Sequence, residues 1–459
     1  MKDISVKNEK LYDALSSLTK GVLKIVSSRV RNDLVVTTES IWVKQDEDTY
    51  VKHQIQRPLW AIVLRKVNDE ITKTKEFLDF INVVTKDEII SPQIDTLVGT
   101  CLGSHRLDAI NIAMRPVYEF LTDKEIVEFN IPSFNPVYSK LESALYSKDI
   151  EFENITPLCG FTMENYELSL TDNISIVKLS EEEILEFFRL GIKLGTSMGD
   201  VGFVHGIHQY AIKTSYKLPK IIGKQDVAIK DVEQNEYFGN KNEKEVVDVL
   251  RIFKEGKLYP ITTNRRGKSI LSIGVSFSFE TPVKHFMNNK YRLLKSEIDA
   301  FKSFWSEKST AKLPEKNFLS VGIRRFSQSN ERDNIEDRII DLMISAEAIF
   351  LSSGGSFQGE LKYRLSHRAS MFIGTDVELQ RYVFDFMQKA YDVRSSIVHG
   401  SNPMLPNKMD GSAYTLEEFC GDIERYLRIS IKKAIGQAAI VEDKSNAINW
   451  ISIIFPSNN

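Results

Sequence analysis

The chain has 459 residues, 42% apolar and 27% charged, ordinary for a globular protein and long enough for two or three domains with a sizeable core. A formal net charge of −3 excludes a global basic field, so any nucleic-acid contact has to be a local patch. The three cysteines, Cys101, Cys159 and Cys420, are odd in number and far apart, which argues against a disulfide framework and for a reducing cytoplasm.

Taken in order, the chain opens on MKDISVKNEK, which lacks the apolar core of a signal peptide. No apolar run approaches the roughly 20 residues of a membrane span, so no membrane partner is expected. Residues 1–150 read as a mixed α/β region with a sensor or regulatory role. Leu11–Val30 and Glu76–Ile90 have helical spacing, whereas Pro58–Lys66, PLWAIVLRK, reads as a buried strand. Pro132, Pro136 and Pro157 predict a loop-rich exit.

Residues 151–288 form the β-rich part of the N-terminal region. Tyr210–Leu218 and Leu271–Phe279 alternate with period 2, so both predict antiparallel strands with one face in a core. Ser180 and Glu183 make a capping box for a helix to Leu190, and Glu243–Phe253 predicts a second helix ending near Gly256.

From 289 to 440 the period is helical, and the short connections predict an up-and-down bundle. Leu293–Trp305 and Phe318–Phe326 are its first helices. Asp333 and Glu336 form a box-like start for the next, with Ile335, Ile339, Leu342, Ala346 and Ile349 along one face. Leu361, Leu365, Ala369 and Phe372 repeat the logic and stop at Gly374. Thr375 and Glu378 form another box, opening a helix whose stripe is Val383, Met387, Ala390, Arg394 and Ile397, with Gly400 at C′. Thr415 and Glu418 open the last long helix, its inward face Phe419, Ile423, Leu427, Ile431, Ala434 and Ala438. The tail 441–459 carries an apolar stretch, Ile448–Phe455, expected to pack back. The fold class is therefore α+β: a mixed N-terminal region with an antiparallel β-rich part, then an all-α C-terminal bundle.

Candidate chemistry concentrates in YDVRSSIVHG, Tyr391–Gly400. Arg394 stands on the apolar stripe where the pattern asks for an aliphatic residue, so it needs a partner or a polar cavity. Glu347 and Asp392 are the two carboxylates placed to hold it in a purely structural role. His399 read alone is a helix-end histidine facing the last carbonyls. As a pair they are five residues apart, or roughly 140° on an ideal helix, too far for one straight helix to aim both at one phosphate. Two copies about a two-fold axis would remove that difficulty.

The segments IRRFSQSNER, EDRIIDLMISAEAIF, ELKYRLSHRASMFIG and YDVRSSIVHG together closely resemble the HEPN superfamily, specifically its ApeA-like branch. PLCGF at Pro157–Phe161 and the start Ile176–Glu183 resemble that branch's N-terminal region. The superfamily's ribonuclease motif is Arg, four to six residues, then His, at the end of a bundle helix, and Arg394 and His399 fall on it. Many nucleolytic members place Asn, Asp or His after the Arg; Ser395 stands there in this chain, in an RS-x-IVHG form typical of the ApeA-like branch. The resemblance implies a metal-independent endoribonuclease with RNA as substrate and no cofactor, and a homodimer through the bundle. It also implies a setting in prokaryotic anti-phage defence or toxin–antitoxin control, with a phage-derived trigger or an antitoxin as partner. Glu347, Asp392 and Ser395 would be supporting residues. The alternative from a different class is a non-catalytic module for nucleotide or RNA binding, or for dimerisation.

Other motifs read more blandly. HGIH, His205–His208, has a spacing some metal sites use, but no further ligands accompany it and Gly206 marks a loop. RRGK, Arg265–Lys268, reads as a hairpin tip, with a phosphate-contacting basic loop as the alternative. Walker, GxSxG and HExxH motifs are missing, so NTPase, hydrolase-elbow and zincin readings lack support.

Overall fold

The computed structural model describes the chain apart from residues 1–4, 33–35, 95, 99–104, 123–127, 193, 198–201, 221–240, 272–274, 278–289, 315–316, 353–359, 409, 444–447 and 455–459. The chain is α+β and divides into two compact units. The first comprises Met1–Cys159, Thr171–Glu243 and Pro260–His285; the second comprises Gly160–Leu170, Lys244–Tyr259 and Phe286–Asn459. The second unit thus draws two short pieces from the stretch 151–288, so a single cut near 288 does not describe the division.

In the first unit, α1 (Glu9–Asn32) buries Leu11, Leu15, Leu18, Val22 and Val26, a spacing of four and three that makes one continuous apolar face. Those side chains share a core with Phe77, Phe80, Ile112, Phe120, Phe134, Tyr138 and Leu141. The Pro58–Lys66 expectation is overturned. A strand, Thr49–Pro58, ends at the proline, and α2 (Trp60–Lys66) follows, then α3 (Asn68–Ile71). The reason is the period: Trp60, Val63, Leu64, Val67 and Ile71 are buried while Ile62 is 40% exposed, a one-sided helical pattern that a short apolar run disguises. α4 (Lys75–Lys86) starts on a Thr74 cap. α5 (Ala109–Leu121) and α6 (Ile131–Tyr146) start on Asp108 and Asn130. Pro132 sits in the first turn of α6, where its missing N–H is no loss, Pro136 lies inside the same helix and Pro157 in the strand Asp149–Cys159, so the three prolines stand in helix and strand and not in a loop-rich exit.

One sheet of this unit pairs Val36–Lys44 antiparallel with Thr49–Pro58, which in turn carries Phe203–His205. In a second, larger sheet Asp149–Cys159 lies between Tyr210–Pro219 and Thr263–Gly267, both antiparallel to it. Ile174–Lys178 flanks the Tyr210 strand and Val275–Phe277 flanks the Thr263 strand. The Tyr210 strand is as expected. Of the expected strand Leu271–Phe279, only Val275–Phe277 is strand among the described residues, and 272–274 and 278–279 lie outside them.

RRGK is not a hairpin tip. Arg265 and Arg266 lie inside the strand Thr263–Gly267, Arg265 paired with Asn154 on one side and Val275 on the other, and Arg266 paired with Glu153. Arg265 is 2% exposed, and its Nε donates to Asn154 Oδ1 at 3.0 Å. Arg266 reaches Glu153 at 2.7 Å, Glu183 at 2.9 Å and Glu186 at 2.7 Å, the last two from α7 (Glu181–Arg189). Lys213 joins Glu183 at 2.5 Å. Buried charge survives only when matched, and here the match comes from residues far away in sequence. The Ser180–Glu183 capping box is formed as expected.

The second unit contains α8 (Lys241–Phe253) from Lys244 onward, and the parallel pairing of Phe161–Met163 with Tyr291–Leu293. Gly160 leads into that pairing at φ +78, where a Cβ would lie 2.5 Å from the Lys257 carbonyl oxygen, so only glycine fits. Tyr291–Leu293 is strand, which moves the expected helix start at Leu293 to α9 (Ile298–Ala311). Glu297 causes the delay, accepting from Leu294 N and from Lys254 Nζ in the turn before α9.

The remaining helices are α10 (Phe318–Ser329), α11 (Ile335–Phe350), α12 (Leu361–Ile373), α13 (Val377–Val398), α14 (Leu416–Ile440) and α15 (Trp450–Ile454). Two caps differ from the expected ones by one residue: Asn334 caps α11 in place of Asp333, and Asp376 caps α13 in place of Thr375. The Thr415–Glu418 box on α14 is formed, and its six expected inward residues are all buried. Trp450 packs back as expected, its ring against Phe350 and Phe372 and under the Arg368 guanidinium at 4.9 Å. Among the described residues no helix is long and apolar enough to cross a membrane.

Candidate active site at the end of α13

α13 packs on α11 and α12. Its buried residues are Val383, Phe386, Met387, Ala390 and Val393, so the apolar line drifts and Val393 takes the inward place expected of Arg394. Arg394 stands at the edge of that face, half-buried. The helix closes in a Schellman motif: Ser401 N donates to Ser396 O at 2.8 Å and Gly400 N to Ile397 O at 3.0 Å. Gly400 supplies the left-handed residue at φ +70. His399 is the C-cap, exposed, its N–H donating to Ser395 O at 3.1 Å. The glycine therefore holds the histidine on the last turn with its ring in solvent.

Arg394 is not held in the structural manner that Glu347 or Asp392 would offer. Asp392 is taken by Lys362 of α12, whose Nζ lies 2.7 Å from both carboxylate oxygens. Glu347, half-buried on α11, has a carbonyl that accepts from Leu351 N at 3.0 Å, and no ion pair joins its carboxylate to Arg394 among the described residues. Arg394 Nε is shielded from solvent and has no hydrogen-bond partner. Ser395 lies half-buried between Arg394 and His399, where its carbonyl serves the cap. The end of α13 thus carries a guanidinium whose charge no described carboxylate neutralises, and an exposed imidazole five residues on.

The patterns named from the sequence elsewhere do not join this site. His205 ends a strand, its Nδ1 2.9 Å from Thr49 Oγ1 and 3.3 Å from Asp48, and Gly206 turns the chain at φ +68. Lys362, not singled out from the sequence, does reach it, and a ring pair lies further along α12. Lys362 clasps Asp392, and the Tyr363 ring lies parallel to His367, 5.9 Å between centroids and 7° between planes. Their one-dimensional signal is only the four-residue spacing of Tyr363 and His367, which one turn of helix brings together. No protein-family model matches the chain, and no curated protein and no solved structure matches it.

Proposed function

We propose that this chain is a metal-independent endoribonuclease of the HEPN type, ApeA-like branch, working in the cytoplasm as a homodimer in prokaryotic anti-phage defence or toxin–antitoxin control. The observation that carries this reading is the state of Arg394: a partly shielded guanidinium without a carboxylate partner among the described residues, on the same helix end as an exposed His399. A cation in that state is ready for an anion, and its planar fork suits two phosphate oxygens. Histidine, with a reference pKa near 6.5, exchanges protons at neutral pH. Together they would draw the proton from an RNA 2′-hydroxyl and stabilise the charge that builds on the phosphorus oxygens as that hydroxyl attacks. DNA lacks the attacking group, so RNA is the substrate class. Because the two side chains diverge by roughly 140° around α13, a second copy completes the cleft. The first unit would then restrain or trigger the nuclease, answering to a phage component or an antitoxin. The test is to map cellular RNA ends after expression of the wild type and of His399→Ala. New 5′-hydroxyl ends confined to the wild type support the reading; identical end profiles overturn it.

A further inference from the structure

α12 begins beside the Arg394–His399 end of α13, and its first turns carry two features that the nuclease chemistry does not use. Lys362 bridges both oxygens of Asp392 in a pair that is open to water, the side chains 38% and 47% exposed. Asp392 precedes His399 by seven residues, two turns of helix, so the two share one side of α13 within roughly 20°. Lys362 therefore stands over the histidine's side of the helix. The next residue, Tyr363, is 52% exposed, although it is a large aromatic. Its ring is fixed on two sides, lying parallel to His367 and meeting Phe384 of α13 edge to face at 5.6 Å and 75°. An exposed ring held by its neighbours loses little further freedom when something stacks on it.

A cation beside an aromatic platform is the pairing that receives single-stranded nucleic acid: the cation meets a backbone phosphate and the ring meets a base. Exposed ion pairs are weakly held, so Lys362 can exchange the Asp392 carboxylate for a phosphate oxygen. We infer that Lys362 and the Tyr363–His367 stack form a subsite for the RNA strand leading away from the cleaved phosphodiester, Lys362 holding a phosphate near the Arg394–His399 end and Tyr363 a base further along, since its neighbour Phe384 stands ten residues, roughly 15 Å, before Arg394. This rests on the nuclease reading of Arg394 and His399 and assigns how the strand is gripped. The two residues are positioning residues, not catalytic ones.

The experiment measures binding of a fluorescent single-stranded RNA to full-length protein silenced by His399→Ala, by anisotropy over a salt series. Tyr363→Ala is expected to weaken binding about tenfold, and Tyr363→Trp to restore it. Lys362→Ala is expected to weaken it severalfold and to reduce the slope of log affinity against log salt by about 0.7, with Lys362→Arg retaining both. In the active protein the same losses fall on KM and not on kcat. Unchanged affinity and salt slope in both alanine variants, while the wild type binds and cleaves RNA, would overturn the subsite alone. A wild type that neither binds nor cleaves RNA would remove the nuclease reading and the subsite with it. If Tyr363→Ala shifts the monomer–dimer equilibrium in sedimentation and leaves RNA affinity intact, the patch is an interface between copies and the inference is wrong.

Discussion

Asp392 gives its carboxylate to Lys362 of the neighbouring helix, 2.7 Å away, and not to Arg394 two residues further along its own helix. That choice decides how Arg394 can be read. A guanidinium tied to a carboxylate would serve the fold, and its removal would leave an unpaired buried charge at a cost of about 3–5 kcal/mol. Arg394 strands no such partner among the described residues. Arg394→Ala should therefore lower the melting temperature by only a few degrees while abolishing RNA cleavage, and Arg394→Lys should recover little activity because it lacks the planar fork. Thermal denaturation followed by circular dichroism, beside cleavage of labelled RNA, checks both halves. A loss of more than about 3 kcal/mol in stability would return Arg394 to a structural role.

Assembly is checked separately. The divergence of Arg394 and His399 around α13 calls for a second copy, so light scattering at micromolar concentration should give a dimer or an even-numbered higher oligomer. Mixing Arg394→Ala protein with His399→Ala protein should restore part of the activity, since one cleft can then draw an intact member of each kind from different chains. A strict monomer with full activity would remove the shared cleft.

Truncation should reveal how the second unit is built. A segment beginning at residue 288 reads from the sequence as a self-contained bundle, yet it omits Lys244–Tyr259. That piece carries Arg251, 1% exposed, which donates to Ser327 Oγ at 2.8 Å, Glu331 at 3.0 Å and the Leu258 carbonyl at 3.2 Å. It also carries Lys254, bound to Glu297 at 2.8 Å, and Glu245, bound to Lys308 of α9. The segment 288–459 should accordingly show reduced helicity and no cooperative melting. A sharp transition like that of the whole chain would show that α8 is dispensable.

The pH dependence follows from Asp248 on the same helix. Burial pushes its carboxyl above the ordinary range, against the opposing effects of the Ser327 hydroxyl and the Arg251 charge. A carboxyl so raised holds its proton more tightly when folded than when unfolded. From the unfolded value, about 3.9, up through the raised native value, the folded state binds more protons, so stability falls as pH rises through that window. Asp248→Asn should then be more stable than the wild type at pH 7 and lose that advantage toward pH 4, as followed by urea denaturation at both pH values. An advantage that grows toward low pH would contradict the assignment.

How far the sequence could be read follows the range of the interactions. Thr415 and Glu418 cap α14, and Ser180 and Glu183 cap α7, through partners three residues away, so both were visible in one dimension. So was Gly400 after α13, because the left-handed residue is a local demand. Pro58–Lys66 reads as a strand in the sequence because a short apolar run does not distinguish a strand from a half-buried helix, which Trp60–Lys66 is. Arg265 and Arg266 were misread because their matching groups, Asn154, Glu153, Glu183 and Glu186, lie about 80–110 residues away. The site itself divides the same way. Arg394 and His399 were legible as a spaced pair, whereas the Lys362–Asp392 clasp that leaves Arg394 unneutralised joins two helices and has no local signature.

The reaction's end groups test the mechanism most directly. Arg394 and His399 between them supply a fixed positive charge and a proton carrier, which is what attack by a neighbouring hydroxyl on a phosphodiester requires. On this mechanism the 2′-oxygen bonds to phosphorus as its proton leaves to a histidine, and the 5′-oxygen departs and takes up a proton. The products are a 2′,3′-cyclic phosphate and a 5′-hydroxyl. His399→Ala should slow cleavage by roughly a hundredfold or more, the usual size of a general acid–base contribution. Neither role calls for a bound ion, so cleavage should persist in EDTA. End-labelled RNA, incubated with the protein and chelator and then treated with a phosphatase that removes cyclic phosphates only after acid opening, distinguishes the cases. Fragments ending in a plain 3′-hydroxyl, or activity lost to EDTA and regained with a divalent cation, would assign the attack to a metal-bound water instead.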